Sequence, residues 1–417
     1  MKTFWKILKY SVLSIVALIL VVLIYISISF SKLDFDDNFS TTEDYLSYYP
    51  ESYDEARDNF RNLSNKISET YSNVKYLEVK VPSEFDNDLT IGVCYIPAQK
   101  DSLNLLILSS GVHGVEGYVG HAVHEMFIDK FLNDELLENI GVLLLHSINP
   151  YGFKHSRRVT ENNVDMNRNS PSTQDLYSTV NDGYPRVYDL INPQKKVKVG
   201  SLENRFFFLK AVNEIRKASM PVLRQAVLQG QYQYPEGLYF GGFKPEPQID
   251  SLKPIIETIC SPYKKILALD LHTGYGERGT LHFFGIQMDN SKKIQMEELF
   301  QGFSIDWGES DDFYTVTGDF TAFLEFINHD KDFYPMSLEY GTLNSQTTMG
   351  SLKSIHIMIL ENQGQQHGYA STNDSLKVKH DLLEMYYPAS ENWRNHIMEQ
   401  TKVVFEDVLP RFIEGDK

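Results

Sequence analysis

Residues 103–117 read Leu-Asn-Leu-Leu-Ile-Leu-Ser-Ser-Gly-Val-His-Gly-Val-Glu-Gly. The segment begins with an apolar run that only Asn104 interrupts, a pattern typical of a strand buried on both faces. It then passes through small residues and a His into residues 116–132, which predict a helix. The segment therefore predicts a buried strand, a tight turn and a helix, which is the unit from which α/β folds are built.

Apolar strands of the same kind recur at Gly141–His146, Ile266–Leu271 and Pro335–Glu339. Val74–Val81 and Leu89–Ile96 predict two further strands that pair with each other. Helices are predicted at Glu51–Asn73, Ser201–Gln229 with an interruption at Pro221, Ser351–Glu361, Ser375–Met385 and Trp393–Phe412, and a long surface loop at 170–200. This alternation predicts an α/β fold with a mostly parallel central sheet, whose functional site lies at the carboxyl ends of strands.

Charge and cysteine content exclude several classes of function. The 417-residue chain has a net charge of −17, which disfavours nucleic acid as a partner because phosphate binding depends on basic patches. Its two cysteines, Cys94 and Cys260, have no close Cys neighbour, so they form neither a disulfide framework nor a thiolate zinc site. They could pair in an exported domain, but the apolar surroundings of Cys94 favour two separate buried thiols.

Residues 10–30 carry no charge and would span about 30 Å as a helix, the thickness of a bilayer's hydrocarbon core. Lysines precede them and aspartates follow them, so the rest of the chain is expected outside the cytoplasm. We predict a cytoplasmic stub and membrane anchor at 1–31, a spacer with an N-terminal helix at 32–73 and the main domain at 74–417. A signal peptide cleaved near Ser29-Phe30-Ser31, giving a secreted protein, is the alternative.

His113 and Glu116 lie three residues apart at the turn after the first apolar strand. Side chains at this spacing can point at one metal ion, and zinc accepts imidazole nitrogen and carboxylate oxygen. The spacing alone is uninformative, since His396 and Glu399 repeat it in an amphipathic helix, where a solvated face is the simpler interpretation. The position at a strand's carboxyl end is what favours a metal site at His113.

Two further strand ends carry candidate functional residues. His272 follows the strand Ile266–Leu271 and is the candidate third ligand, with a hydrogen-bonded core histidine as the alternative. Asp270 is a candidate for orienting an imidazole ring, unless it forms a core salt bridge. Glu339 closes the strand that begins at Pro335, where a carboxylate can take a proton from a water molecule held by the metal.

A polar stretch follows the strand Gly141–His146. It contains Asn149-Pro-Tyr-Gly-Phe153, Arg157-Arg158 and Asp165-Met-Asn167-Arg168-Asn169. Guanidinium groups match carboxylates and stabilise developing negative charge. The stretch therefore predicts recognition of an anionic group, with a surface salt-bridge network as the alternative. A later loop, Tyr234–Pro247, could line the substrate site or be an ordinary surface loop.

Over residues 75–365 these elements resemble the zinc carboxypeptidases, the carboxypeptidase A-like metallopeptidases, and their deacylase relatives, the succinylglutamate desuccinylase and aspartoacylase group. The His-x-x-Glu pair, the Asn-Arg dipeptide, the later His after a strand and the final Glu occur in family order. The stretch Asn149–Asn169 resembles an uncharacterised bacterial branch of the family. The short gap between Arg158 and Asn167 is closer to the deacylases than to digestive carboxypeptidases.

The resemblance implies an α/β/α sandwich with a mixed sheet and one zinc ion held by His113, Glu116 and His272. It implies Glu339 as general base and acid. It further implies the following substrate contacts: Asn167 and Arg168 for a terminal carboxylate, Arg158 or its rival Arg157 for the scissile carbonyl, and Tyr314, whose spacing to Glu339 departs slightly from the family pattern.

Three functions are compatible with these residues. The first is a membrane-anchored metallocarboxypeptidase acting on exported or cell-wall peptides. The second is an N-acyl amino acid deacylase with the same zinc centre. Both would take a substrate with a free carboxylate, and the predicted export favours the peptide. The third, a non-catalytic binding domain, is disfavoured because no ligand and no catalytic Glu is missing.

Overall fold

The centre of the computed structural model, which describes residues 2–100, 102–308 and 316–414, is an eight-stranded sheet. Its strands are β1 (Lys75–Lys80), β2 (Thr90–Ile96), β3 (Asn104–Ser110), β4 (Gly141–His146), β5 (Lys265–Thr273), β6 (Leu281–Phe284), β7 (Ile305–Asp306) and β8 (Asp332–Tyr340). Their order is β1-β2-β4-β3-β5-β8-β6-β7. The strands β4, β3, β5 and β8 are parallel, whereas β1, β2 and β6 pair antiparallel with their inner neighbours. The predicted mixed, mostly parallel sheet is confirmed.

The two faces of the sheet are buried by alternate residues of the same strands. Leu106 and Leu108 of β3 belong to the apolar core on one face, whereas Leu105 and Ile107 belong to the core on the other. Both sets of side chains are fully buried because β3 lies in the middle of the sheet. This burial on both sides explains why the sequence shows apolar runs rather than alternation.

Helices cover both faces and complete three layers. They are α1 (Lys2–Ser31), α2 (Tyr53–Thr70), α3 (Gly117–Lys130), α4 (Asp134–Asn139), α5 (Pro150–Lys154), α6 (Met166–Asn169), α7 (Tyr184–Ile191), α8 (Leu202–Arg205), α9 (Phe207–Ala218), α10 (Met220–Leu228), α11 (Pro247–Cys260), α12 (Asn290–Leu299), α13 (Phe320–Ile327), α14 (Thr348–His367), α15 (Thr372–Tyr386) and α16 (Glu391–Glu414). Helices α3 and α16 pack on one face, and α11 and α13 on the other. The fold is therefore an α/β/α sandwich.

Residues 170–200 do not form the predicted surface loop. They contain α7, whose Tyr184, Val187 and Ile191 are buried in a third apolar core together with residues of α9, α14 and α15. The prolines of the segment suggested a loop. Pro185, however, stands in the first turn of α7, where the missing N–H costs no helical hydrogen bond.

The N-terminal helix α1 is long and apolar enough to cross a membrane, and it is the one such helix among the described residues. Its last turns pack on the third apolar core. Phe30 is buried there, with its ring centre 5.9 Å from that of Phe208. The hydroxyl of Ser27 donates a hydrogen bond to the carbonyl of Arg205 at 2.8 Å. The end of α1 is thus attached to the helices α8 and α9.

Cys94 and Cys260 are both buried and free. Cys94 belongs to the core on one face of the sheet and Cys260 to the core on the other, so the sheet stands between them. The expectation of two separate buried thiols is confirmed.

Candidate metal centre

Three parallel strands bring the candidate residues to one edge of the sheet. β5 lies between β3 and β8, and His272 of β5 is directly paired with Glu339 of β8. His113 follows the end of β3. The carboxyl ends of the strands therefore meet where the sequence places the site.

The turn from β3 into α3 is packed tightly against α5. The backbone N–H of Gly114 donates a hydrogen bond to the carbonyl of Arg158 at 3.1 Å. A Cβ atom at Gly114 would lie 2.3 Å from the Cα of Gly152, so this close approach of two backbones requires glycine. His113 and Glu116, on either side of the turn, are fixed by this contact.

His113, Glu116 and His272 converge on one point. The Nδ1 atoms of the two histidines each lie 2.9 Å from a different carboxylate oxygen of Glu116. One ligand atom from each residue lies within 4.8 Å of the others, and all three side chains are buried. Burial raises the pKa of the Glu116 carboxyl, but the two neighbouring imidazoles outweigh burial and lower it. The cluster therefore contains a buried negative charge that a cation can bind.

Asp270 holds the outer nitrogen of His272, as the sequence led us to expect. Its Oδ2 lies 2.7 Å from His272 Nε2, and its Oδ1 accepts a hydrogen bond from the hydroxyl of Ser109 at 2.6 Å. A carboxylate in this position fixes the orientation of the imidazole ring and directs Nδ1 towards the metal site.

Asp165 lies within ion-pair distance of the outer nitrogen of His113, a proximity that the sequence did not reveal. Its Oδ1 lies 3.3 Å from His113 Nε2, and its Oδ2 accepts a hydrogen bond from Nε of Arg158 at 2.9 Å. Burial raises the pKa of Asp165, but Arg158 outweighs burial and holds the pKa well below its usual range. Asp165 is the first residue of the Asp-Met-Asn-Arg-Asn stretch noted in the sequence, but no local pattern links it to His113.

The donor set fits a zinc ion. Two imidazole nitrogens and one carboxylate form a set used by catalytic zinc sites, which leave a further position open for water. Calcium and magnesium prefer sets made of oxygen atoms, so the two imidazoles favour zinc over these cations.

Glu339 stands beside the cluster on the neighbouring strand. Its Oε1 accepts a hydrogen bond from the backbone N–H of Tyr275 at 2.8 Å. Burial and the nearby negative charge of Glu116 raise its pKa to about 7. A carboxyl group that titrates near neutrality can both accept and return a proton.

The two candidate arginines have different surroundings. Arg158 reaches the cluster, with its Nη1 4.0 Å from Glu116 Oε1. Arg157 is 1% exposed, and its Nε donates to Glu361 of α14 at 2.8 Å. Arg158 therefore faces the metal site, whereas Arg157 forms a buried ion pair that joins this stretch to α14.

Asn167 and Arg168 line the space in front of the cluster. The side-chain oxygen of Asn167 accepts a hydrogen bond from the backbone N–H of Phe320 at 2.8 Å, which fixes the amide. Arg168 donates from Nε and Nη2 to the carbonyl of Leu228, at 3.1 and 2.6 Å. These contacts orient both side chains, and Arg168 retains further N–H groups for a ligand.

Tyr314, which the resemblance places near the site, lies outside the described residues. Other tyrosines surround Arg158. Its Nη1 donates to the hydroxyl of Tyr386 at 3.3 Å, and its guanidinium carbon lies 5.3 Å from the ring centre of Tyr239. Tyr239 belongs to the loop Tyr234–Pro247, which therefore contributes to the site. The contribution of Tyr386 from α15 was not predicted, because no local pattern links that helix to the cluster.

Two cavities meet at the cluster. The larger, of about 850 Å³, extends over β6 and α13 and includes His272. The smaller, of about 210 Å³, lies among α7, α9, α10 and α14 and includes His113. Asn167, Tyr275 and Glu339 line both cavities. A substrate bound at the metal site would therefore have space on either side of the reacting bond.

Comparison with known proteins gave the following similarities. Bovine thrombin-activatable fibrinolysis inhibitor, solved with tick carboxypeptidase inhibitor, is 12% identical with a TM-score of 0.42 over 76% of this chain and 99% of its own. Carboxypeptidase A from Helicoverpa armigera is 16% identical with a TM-score of 0.38 over 80% and 73%. A metallo-carboxypeptidase from Pseudomonas aeruginosa is 13% identical with a TM-score of 0.38 over 74% and 69%. No curated protein matches the chain. The model of the family DUF2817, described as a protein of unknown function, matches residues 49–400, a range that includes the whole sheet and the cluster.

Proposed function

The chain belongs to the DUF2817 family, whose function is unknown, and we propose from its site that it is a zinc-dependent hydrolase of amide bonds. One observation carries this proposal: His113, Glu116 and His272 converge on one point with Glu339 beside them.

Each residue of the site has a separate role in the proposed reaction. Zinc held by the cluster would act as a Lewis acid and lower the pKa of a water molecule to about 7. Glu339 takes the proton from the attacking water and returns it to the leaving nitrogen. Arg158, held in place by Asp165, donates hydrogen bonds to the carbonyl oxygen as negative charge develops there. Asn167 and Arg168 bind the free carboxylate of the substrate.

Two substrate classes have specific support. A metallocarboxypeptidase would act on exported or cell-wall peptides, and the larger cavity with its charged lining suits a peptide. An N-acyl amino acid deacylase would use the same residues, and the apolar lining of the smaller cavity favours an acyl group. We propose the carboxypeptidase as the first candidate and the deacylase as the second.

We further propose that α1 anchors the protein in a membrane with the main domain outside the cytoplasm. Its mean hydropathy over the most apolar window is 2.9. Lys6 and Lys9 lie near its start, and aspartates follow its end. Cleavage after Ser31 would remove Phe30 from the apolar core in which it is buried, so the packing supports an uncleaved helix over a signal peptide.

The test combines metal analysis with product analysis. The purified protein is expected to contain one zinc ion per chain and to release a carboxyl-terminal residue from a panel of peptides and N-acyl amino acids. A chelator should abolish the activity and added zinc should restore it, while His272→Ala should lose both the metal and the activity. A zinc-loaded protein that hydrolyses nothing in the panel would contradict the proposal.

A further inference from the structure

The smaller cavity has two chemically different ends. Close to the metal centre it is lined by His113, Arg158 and Glu339. Away from the metal centre, the helices α7, α9 and α10 contribute a largely aliphatic and aromatic part of its wall, which includes Val187, Ile191, Phe207, Ala211, Ile215 and Leu223, with Arg224 as the charged exception. A largely apolar wall of this kind gains free energy by excluding water in favour of hydrocarbon.

The larger cavity differs in its chemistry. Its lining includes Asp289, Lys292, Asp319, Glu325 and Asp332. An amide bond placed at the metal centre would therefore divide its substrate into a polar part in one cavity and an apolar part in the other. A molecule with that division is an amphiphile.

The apolar end of the smaller cavity lies next to the proposed membrane anchor. The ring of Phe207, which lines the cavity, stacks on the ring of Phe30 with their centres 6.3 Å apart and an interplanar angle of 28°. On the outer side of the same helix, Leu209 and Val212 are 39% and 48% exposed. Helix α9, which lines the cavity, is thus packed against the end of the proposed anchor.

We infer that the smaller cavity binds an aliphatic acyl chain of medium length, and that the substrate is a membrane-associated N-acyl amino acid. The inference rests on the second form of the proposed function, the N-acyl amino acid deacylase, and extends it by naming the acyl group. Water adds to the carbonyl carbon of the acyl group, the carbon–nitrogen bond breaks, and the products are a fatty acid and an amine that receives its proton from Glu339. The free carboxylate of the amino acid lies at Asn167, which lines both cavities.

The test uses the full-length, zinc-loaded protein in detergent and conjugates of the same amino acid with acetyl, octanoyl and palmitoyl groups. The wild type is expected to show a kcat/KM for the octanoyl conjugate at least tenfold above that for the acetyl conjugate. Ala211→Phe, which fills the cavity, should lower this ratio at least tenfold. Val212→Phe adds the same bulk to the exposed side of the same helix and should leave the ratio unchanged.

The outcomes separate the two proposals. Equal kcat/KM values for all three conjugates would overturn the acyl-chain inference but not the proposed hydrolase activity. The same holds if Ala211→Phe and Val212→Phe lower the octanoyl-to-acetyl ratio of kcat/KM equally. Failure to hydrolyse any conjugate or any peptide would instead overturn the hydrolase itself. Should Ala211→Phe not fold, Ile215→Trp narrows the same cavity from the next turn of α9 and gives the same readout.

Discussion

Glu339 is the residue on which the proposed chemistry most directly depends. Replacing it with Gln keeps the length of the side chain and an oxygen that can accept from Tyr275 N–H, but it removes the proton acceptor. We expect kcat to fall about 10²- to 10⁴-fold, the usual contribution of a general base, with zinc content unchanged. Steady-state kinetics and metal analysis on the same preparation check both parts. A Glu339→Gln enzyme of full activity that still bound zinc would show that another group moves the proton.

Asp270 acts through His272 rather than on the substrate. Asp270→Asn weakens the hydrogen bond that fixes the imidazole, so we expect zinc affinity to fall about 10- to 100-fold. Competition with a chromogenic chelator measures this affinity. His396→Ala is the matched control, because His396 has the same spacing to a Glu but stacks on Phe39, with ring centres 4.4 Å apart. Equal zinc affinity in wild type and Asp270→Asn would rule out the orienting role.

At the scale of residues, the sequence predicted the convergence of His113, Glu116 and His272 because each lies at a strand end that parallel pairing brings to one edge. The family resemblance favoured Arg158 over its rival Arg157, but no local pattern in the sequence distinguished the two. The difference between them is a partner, Glu361, that lies far along the chain on α14. Long-range pairs of this kind leave no local pattern, which is also why Asp165 was not assigned to His113.

Among the elements, the turn between β3 and α3 has little tolerance for added atoms. Gly114→Ala would place its Cβ 2.3 Å from the backbone of Gly152 in α5. Relieving that overlap must move α5 or the turn, so we expect the free energy of unfolding to fall by about 1–3 kcal/mol and zinc affinity to fall with it. Urea denaturation measures the stability.

Gly200→Ala is the control for this change, since the nearest atom to its added Cβ lies 3.9 Å away. It should not lower the free energy of unfolding. Equal stability of Gly114→Ala and the wild type would show that the turn can relax, and that the contact with α5 does not fix the ligands.

The elements that the sequence predicted well are those with a strong repeating pattern. β3, β4 and β5 lie in the centre of the sheet and are buried on both faces. Their sequences therefore contain continuous apolar runs, from which the strands were predicted. α7 was missed because its eight residues, Tyr184–Ile191, include a proline and are buried by segments that lie far away in the sequence. That miss matters for function, because α7 lines the smaller cavity.

For the whole molecule, the decisive question is how α1 relates to the rest of the chain. The length and hydropathy of the segment were evident from the sequence, but its packing on α9 and α14 was not, since that contact depends on Phe30, Phe207 and His356 meeting in three dimensions. This contact joins the proposed anchor to α9 and α14, which line the smaller cavity, so we expect α1 to contribute to the stability of the domain.

The proposed anchor leads to a prediction about the intact protein. The full chain should sediment with membranes and resist extraction by alkaline carbonate, because about 30 Å of uncharged helix remains in the bilayer. A chain that lacks residues 1–31 should be soluble and less stable to heat, since deletion exposes Phe207 and Phe208 to water. Phe30→Ala in the full chain separates membrane attachment from packing on the domain. This variant should have a lower thermal stability than the wild type but should still sediment with membranes. Recovery of a mature protein that begins after Ser31 would identify a cleaved signal peptide and contradict the anchor.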